Sequence, residues 1–185
     1  MGKVLKKSKK YDIIQRSVFI MAKWGSADFE ELKALANELL EMEKEVNNFC
    51  EIAARALARR LLELVRQSTP VGQYPASSGK QGGTLHRGWV AETHEEAAGG
   101  SGLTTAAKAL QYAQSLEVEK SGHCYIVRVK NPVKYASYVE FGHRTVNGGF
   151  VEGQYFLTSA EAILENEKDR ILERELTKYL KEHIS

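Results

Sequence analysis

Apolar residues between positions 28 and 67 recur at alternating intervals of three and four, which is the pattern of one helix face packed along a seam. The seam comprises Leu32, Leu35, Leu39, Met42, Val46, Phe49 and Ala53, and the apolar face continues through Ala56, Leu57, Leu61, Leu64 and Val65. Asp28 and Glu31 form a candidate capping pair, and Thr69-Pro70 predicts the end of the helix, because proline lacks the N–H that a helix needs. A continuous helix of about 40 residues would be about 60 Å long. One small domain could not cover a helix of this length, so part of it would need to pack against a neighbour. The alternative to one continuous helix is an antiparallel helix pair packed within the monomer.

Glycine dominates the region that follows, since residues 72–102 contain eight of the fifteen glycines. This composition predicts a long loop, poorly ordered between Tyr74 and Gly83, with strand-like content only between Thr84 and Thr93. An alanine-rich stretch from Thr104 to about Ala113 predicts a short helix.

The region 115–130 alternates apolar and charged residues on both sides of Ser121-Gly122, and therefore predicts a β-hairpin. The aromatic segment Tyr135–Phe141 predicts one or two helical turns, which Gly142 would end in a left-handed conformation. Four glycines between Gly142 and Gly153 predict a second loop.

The last predicted element is a helix from Tyr155 to about Glu182. Its expected buried stripe comprises Phe156, Ala160, Ile163, Leu164, Ile171, Leu176, Tyr179 and Leu180. The whole pattern predicts an α+β fold, in which a long N-terminal helix or helix pair and a C-terminal helix pack on a small, mainly antiparallel β-sheet with two Gly-rich loops.

Charged residues are distributed unevenly along the chain, although its formal net charge is only +2. The first ten residues contain five lysines and no acid, and a second start-like methionine, Met21, opens a segment that resembles a natural N-terminus. We therefore expect residues 1–20 to be a basic, disordered extension outside a single domain of residues 21–185. Such an extension could make a weak contact with nucleic acid or with an acidic partner.

Composition excludes several classes of protein. Two cysteines, Cys50 and Cys124, do not make a disulfide scaffold, and with no export signal they favour a reducing cytoplasm. The longest apolar run is far shorter than the ~20 residues of a membrane span. His123 and Cys124 would point to opposite faces of a strand, so they cannot bind one metal ion together.

No familiar catalytic motif is present in the sequence, and we predict neither catalytic residues, metal ligands nor a cofactor. One enzymatic alternative is a small basic nuclease, in which His86, Arg87 and His94 are the acid and base groups and Glu92 orients them. A regulatory or toxin-like module that binds DNA through the lysine-rich head is a third possibility.

Two motifs carry a resemblance. The first is Thr69-Pro70-Val71, followed after an insert by residues 83–89, Gly-Thr-Leu-His-Arg-Gly-Trp. The second is residues 131–144, Asn-Pro-Val-Lys-Tyr-Ala-Ser-Tyr-Val-Glu-Phe-Gly-His-Arg. In order and spacing they resemble the tailed-phage head–tail joining family, also called tail-completion or minor tail component proteins, from about Asp28 to the C-terminus. The Asp-Thr-Gly turn that usually follows Thr-Pro-Val in that family is replaced here by residues 72–75, Gly-Gln-Tyr-Pro.

The resemblance implies a non-enzymatic assembly protein that forms a ring, usually sixfold, where the tail tube meets the head connector. It implies three partners, namely other copies of the chain, the tail tube protein and the head connector or stopper protein. It implies the host cytoplasm during assembly and the virion tail or neck afterwards. The candidate ring and partner contacts are Arg87, Trp89, Glu140, His143 and Arg144. The structural motif residues are Thr69, Pro70, Val71, Pro132, Tyr135, Tyr138, Phe141 and Gly142, with the aromatic ones expected in the core and Glu140 and Arg144 expected to form a solvated pair.

Overall fold

A computed structural model describes residues 30–79 and 81–183. The expectations for residues 1–20, for the capping pair of Asp28 with Glu31 and for Lys80, within the predicted poorly ordered loop, lie outside this described part. Along it the elements are α1 (Glu30–Ser68), α2 (Thr84–Arg87), α3 (His94–Gly99), α4 (Ala106–Ser115), β1 (Val118–Ser121), β2 (Cys124–Val127), α5 (Ala136–Phe141), β3 (Gly142–Arg144), β4 (Phe150–Glu152) and α6 (Phe156–His183), with 3₁₀ turns at Ala76–Ser78 and Gly88–Val90. The predicted α+β class is confirmed, and the strands form two separate antiparallel hairpins rather than one sheet.

Helix α1 is continuous over 39 residues, so the single long helix is confirmed and the helix pair is wrong. Internal contacts divide the chain into a unit that ends at Val46 and a unit that begins at Asn47, and this boundary falls inside α1. In the first unit the apolar seam is exposed, at Leu32, Leu35, Leu39, Met42 and Val46. In the second unit the seam becomes buried at Ala53.

In the second unit, helix α6 runs antiparallel to the C-terminal part of α1. The Ser68 hydroxyl donates to the Phe156 carbonyl at 3.0 Å, at the start of α6. Further along, Arg60 forms an ion pair of 2.7 Å with Glu167, and the rings of Phe49 and Tyr179 lie 5.6 Å apart. These contacts fix the register of the two helices and leave one side of the α1–α6 pair for the remaining elements.

The hydrophobic core lies on that side of the helix pair, within the second unit. It consists of Leu62, Leu64, Val65, Leu85, Trp89, Ala91, Ala97, Ala113, Val133, Phe156 and Ala160. Helix α6 contributes a narrower stripe than the sequence predicted. Phe156, Ala160, Ile171 and Tyr179 are buried, whereas Ile163, Leu176 and Leu180 are more than 40% exposed, so their predicted burial is wrong.

Two loop predictions are also corrected. The segment predicted to be strand-like, Thr84–Thr93, forms α2 and a 3₁₀ turn, because Leu85 and Trp89 are one helical turn apart and both enter the core. The second predicted loop contains the hairpin β3–β4, with His143 opposite Val151. The predicted hairpin at residues 115–130, the short alanine-rich helix and the helical turns before Gly142 are confirmed.

Candidate functional site

The two sequence motifs meet in the folded chain through Asn131. Its side-chain amide donates to the Leu85 carbonyl at 2.9 Å, and its side-chain oxygen accepts the Val133 N–H at 3.2 Å. A Cβ atom added to Gly88 would lie only 2.1 Å from the Asn131 side-chain oxygen. Glycine at position 88 therefore permits the close approach that joins the first motif to the second.

Thr69 and Trp89 form the buried base of the site. The indole N–H of Trp89 donates to the Thr69 hydroxyl oxygen at 2.6 Å, and that hydroxyl in turn donates to the Val65 carbonyl. Trp89 also packs edge-on against Phe156, with ring centroids 6.1 Å apart. Because Trp89 is 2% exposed, it links the end of α1 to the start of α6 and presents no contact surface.

Arg87 holds together the glycine-rich segments around it. Its guanidinium donates to the carbonyl of Ala97 at 2.7 Å, of Gly102 at 2.7 Å and of Gly82 at 3.2 Å. The side chain is buried, and its hydrogen bonds to neutral carbonyls supply the polar partners that a buried cation requires. Arg87 therefore connects three backbone segments of the glycine-rich region.

His86 is buried beside Arg87 and is tied to Thr104. The Thr104 N–H donates to Nδ1 of His86 at 3.1 Å, and the Thr104 hydroxyl donates to the His86 carbonyl at 3.1 Å. Burial, together with the positive charges of Arg66 and Arg87, lowers the pKa of His86. Two of the groups that the nuclease hypothesis assigns to chemistry, His86 and Arg87, are thus bonded inside the fold, whereas the His94 ring lies edge-on to the Tyr135 ring.

Glu140 caps helix α6 from a distant position in the sequence. Its carboxylate accepts the N–H groups of Leu157 and Thr158, both at 2.9 Å, and the Thr158 hydroxyl at 2.7 Å. Burial alone would raise the pKa of Glu140, but these hydrogen bonds outweigh it and hold the pKa below its usual value. The carboxylate thus satisfies N–H groups that the first turn of a helix leaves without partners.

Gly142 turns the chain from α5 into the hairpin β3–β4. It has a φ of +80°, and a Cβ atom there would lie 2.4 Å from the Val151 carbonyl oxygen. Backbone hydrogen bonds from Gln154 to Val139 and from Tyr155 to Glu140 then join the end of the hairpin to α5. Gly142 ends α5 as predicted, but with a ψ of 174° it is extended rather than left-handed helical, because it is also the first residue of β3, so the predicted left-handed conformation is wrong.

Exposed aromatic side chains lie on α5, on both faces of the hairpin β3–β4 and at the residue before α6. His143 pairs with Val151 and Phe150 pairs with Arg144, so His143 and Phe150 point to opposite faces of the hairpin. We call Tyr138, Phe141, His143, Phe150 and Tyr155 the aromatic patch; four of them are at least 50% exposed, and His143 is exposed as well. The ring of Tyr138 lies 5.8 Å from that of His143, and the Phe150 ring lies over Gly142. The expectation that Tyr138 and Phe141 are core aromatics beneath the hairpin is therefore wrong.

The structure divides the five candidate contact residues into two groups. Arg87, Trp89 and Glu140 are buried with their polar atoms bonded inside the chain, so we correct the expectation that they form a contact surface. The expected solvated pair of Glu140 and Arg144 is corrected for the same reason. His143, a member of the aromatic patch, and its neighbour Arg144 are exposed on β3, and their role as contacts stays a prediction.

The motif residues also separate into buried and exposed positions. Thr69 is buried, Pro70 and Pro132 are half-buried, and Val71 and Tyr135 are 37% and 39% exposed. Tyr135 had been expected in the core, and its edge-on contact with His94 covers it only in part.

Sequence reasoning missed the roles of His86, Arg87 and Glu140 as internal connectors. No local spacing could have revealed them, because Thr104 lies 18 residues from His86 and Thr158 lies 18 residues from Glu140. The nearest signal was the two sequence motifs, which place all three polar residues among aromatic and glycine neighbours.

Among the described residues no group of histidine, cysteine, aspartate and glutamate side chains could hold a metal ion. No helix in residues 30–79 and 81–183 has the length and apolar character needed to cross a membrane. The described surface carries large exposed apolar side chains, both along the first half of α1 and in the aromatic patch.

Comparison with known families identifies the group to which the chain belongs. The HK97-gp10-like family, described as "Bacteriophage HK97-gp10, putative tail-component", matches residues 33–142, which is more than half of the 185 residues. The chain therefore belongs to this family of bacteriophage tail components. Searches of curated proteins and of solved structures gave no significant match.

Proposed function

We propose that the chain is a virion assembly protein that forms or completes a ring at the head-proximal end of a phage tail and joins the tail to the head connector. Membership of a family of tail components supports a structural role in the virion. The proposed partners are other copies of the chain, the tail tube protein and the head connector or stopper protein. In this proposal the protein acts without catalysis and is located in the neck of the assembled virion.

The observation that carries this proposal is the exposure of the aromatic patch. Residues 131–144, which resemble head–tail joining proteins, present Tyr138 and Phe141 to solvent at 58% and 60% exposure. Large aromatic side chains are enriched at the centres of protein interfaces, where their burial stabilises the complex. A surface of this kind fits a protein that is completed by its neighbours in a particle.

The polar residues beneath the patch support the same function. Glu140 anchors α5 to the N-terminus of α6, and the backbone between Val139 and Tyr155 closes the hairpin. The patch is therefore mounted on buried, hydrogen-bonded elements, which reduces the conformational entropy lost when a partner binds. The nuclease alternative is less well supported, since the side chains of His86 and Arg87 are buried and hydrogen-bonded within the chain.

An in vitro joining assay tests the proposal. A phage that carries a nonsense mutation in this gene should yield filled heads and separate tails, and purified protein added to the lysate should restore infectious particles. Negative-stain images would count attached and free tails before and after addition. Mutant particles that are already joined would contradict a joining role, and a lysate without any tails would indicate a function in tube assembly instead.

A further inference from the structure

The first half of α1 presents an apolar seam. Its residues are 47–64% exposed and extend over about 21 Å of helix, and they are Leu32, Leu35, Leu39, Met42 and Val46. Their intervals of three, four, three and four residues are those of a face that packs against a second helix. An apolar face of this length is costly to leave in water, so a segment that covers it would stabilise the first unit.

The sequence before α1 repeats this spacing in reverse. Counted back from α1, an apolar stripe comprises Met21, Val18, Ile14 and Tyr11. Its intervals are three, four and three residues, the same as those from Leu32 to Met42. Eight residues separate Met21 from the first residue of α1, and this is within the usual length of a connection between antiparallel helices. Gly25 and Ser26 within it favour a turn.

An antiparallel alignment brings the whole stripe to the seam. Residues that are equally far from a connection lie at the same level in an antiparallel pair of helices. Met21 then lies beside Leu32 at one end and Tyr11 beside Met42 at the other, with the residues between them in step. The stripe and the seam therefore agree in period, in order and in length.

The same alignment brings opposite charges to one level. Residues 6–10 contain four lysines and no acid, and they fall level with residues 43–47. Residues 38–46 contain four glutamates and one lysine, and the Glu41–Lys44 ion pair of 3.7 Å leaves an excess of three glutamates. A second copy of α1 would instead place glutamates opposite glutamates, because the positions that flank a seam face each other across a coiled coil.

We propose that residues 6–21 pack antiparallel on the α1 seam of their own chain and form a helical hairpin with it. Apolar contacts supply the attraction, and the charges select the register. The proposal gives residues 1–20 a packing role instead of the disorder that their lysine content predicts. The contact is confined to the first unit, since the hydrophobic core consists of residues of the second unit, and it does not depend on the joining function.

Hydrogen exchange of the α1 amides, measured by mass spectrometry on the full chain, tests the contact. Ile13 and Ile14 form a matched pair, because only Ile14 belongs to the stripe. Ile14→Asp should accelerate exchange of residues 32–46 at least about tenfold, whereas Ile13→Asp should leave it within about twofold of wild type. Deletion of residues 1–21 should accelerate it as much as Ile14→Asp does, and melting curves verify that the second unit stays folded.

Dilution identifies where the cover comes from. Protection by the same chain should be unchanged between about 100 µM and about 1 µM protein, because the covering segment is tethered. Protection that is lost on dilution would overturn the proposal in favour of a second copy. Rapid exchange in undiluted wild type would overturn it in favour of another virion protein, and equal effects of Ile13→Asp and Ile14→Asp would also overturn it.

Engineered cysteines test the register separately. In a chain with Cys50→Ser and Cys124→Ser, oxidation should cross-link Ile14→Cys to Leu39→Cys within one chain. Ile14→Cys should not cross-link to Leu32→Cys, because seven residues of helix place position 32 about 10 Å from position 39, beyond the reach of a disulfide. Failure of the first pair, or equal cross-linking of both pairs, would overturn the antiparallel register and the proposal with it.

Discussion

Replacement of Glu140 by glutamine tests whether a buried carboxylate fixes the surface that carries the aromatic patch. The carboxylate accepts three hydrogen bonds at the start of α6, and the described residues provide no cation within ion-pair distance of it. Glutamine keeps the shape but replaces one acceptor oxygen with an NH₂ group, which faces donors from Thr158 or Leu157. Hydrogen bonds to charged groups contribute about 1.5–3 kcal/mol, against about 0.5–1.5 kcal/mol for neutral ones.

Charge at a helix N-terminus adds up to about 2 kcal/mol in partly buried sites. We therefore expect Glu140→Gln to lower the free energy of unfolding at pH 7 by about 2 kcal/mol, measured by urea denaturation with circular dichroism. In thermal melts of a domain of this size the loss corresponds to about 4–8 °C. The control is Glu152→Gln on exposed strand β4, which should change the free energy of unfolding by less than about 0.5 kcal/mol.

The pH dependence provides an independent check on the same residue. Because the folded-state pKa of Glu140 lies below its usual value, its contribution is complete above about pH 4.3 and is lost as the pH falls through the folded-state pKa. The stability difference between wild type and Glu140→Gln should therefore shrink at low pH. A difference that is small at neutral pH, or that does not change on acidification, would refute the capping role.

Four further predictions address the fold and the patch. Gly142→Ala should destabilise the chain more than Gly148→Ala, because both glycines have φ near +80° but only the first has backbone atoms within 3 Å of the added Cβ; equal melting temperatures would contradict this. Arg144→Ala should melt like wild type and fail in the joining assay. If the variant joins tails to heads fully, Arg144 is a solvated surface residue and not a partner contact. Wild type should lose stability below about pH 6.5, where the unfolded chain protonates a histidine that burial keeps neutral, and His86→Asn should flatten that part of the profile. Deletion of residues 1–20 should shift the melting temperature by no more than about 2 °C, and a larger fall would show that they pack on the domain.

Local periodicity was sufficient for the elements that a single stretch of sequence determines. The three–four spacing after Leu32 predicted the helical face of α1, alternation around Gly122 predicted the first hairpin, and the glycine after the aromatic run predicted where α5 ends. In each case the signal and the structure involve the same few residues, because backbone preferences act locally.

Contacts between distant segments were not predictable in this way. The segment containing Leu85 and Trp89 was expected to be strand-like, but it is helical. The two residues are four apart, so both lie on one face of the helical turns, where Thr69 and Phe156 contact the Trp89 indole. Glu140 was expected at the surface because charged residues rarely lie inside. Its burial depends on where α6 begins, 16 residues later, and that approach is a property of the tertiary fold.

Localisation of the chain in the virion tests the joining account most directly. Electron micrographs of tails that carry an epitope-tagged copy, averaged after antibody labelling, would show the position and the number of copies. The account predicts a single ring at the head-proximal end of each tail, in contact with the connector when heads are attached. Label along the whole tube, at the distal tip or at a single copy per tail would contradict it.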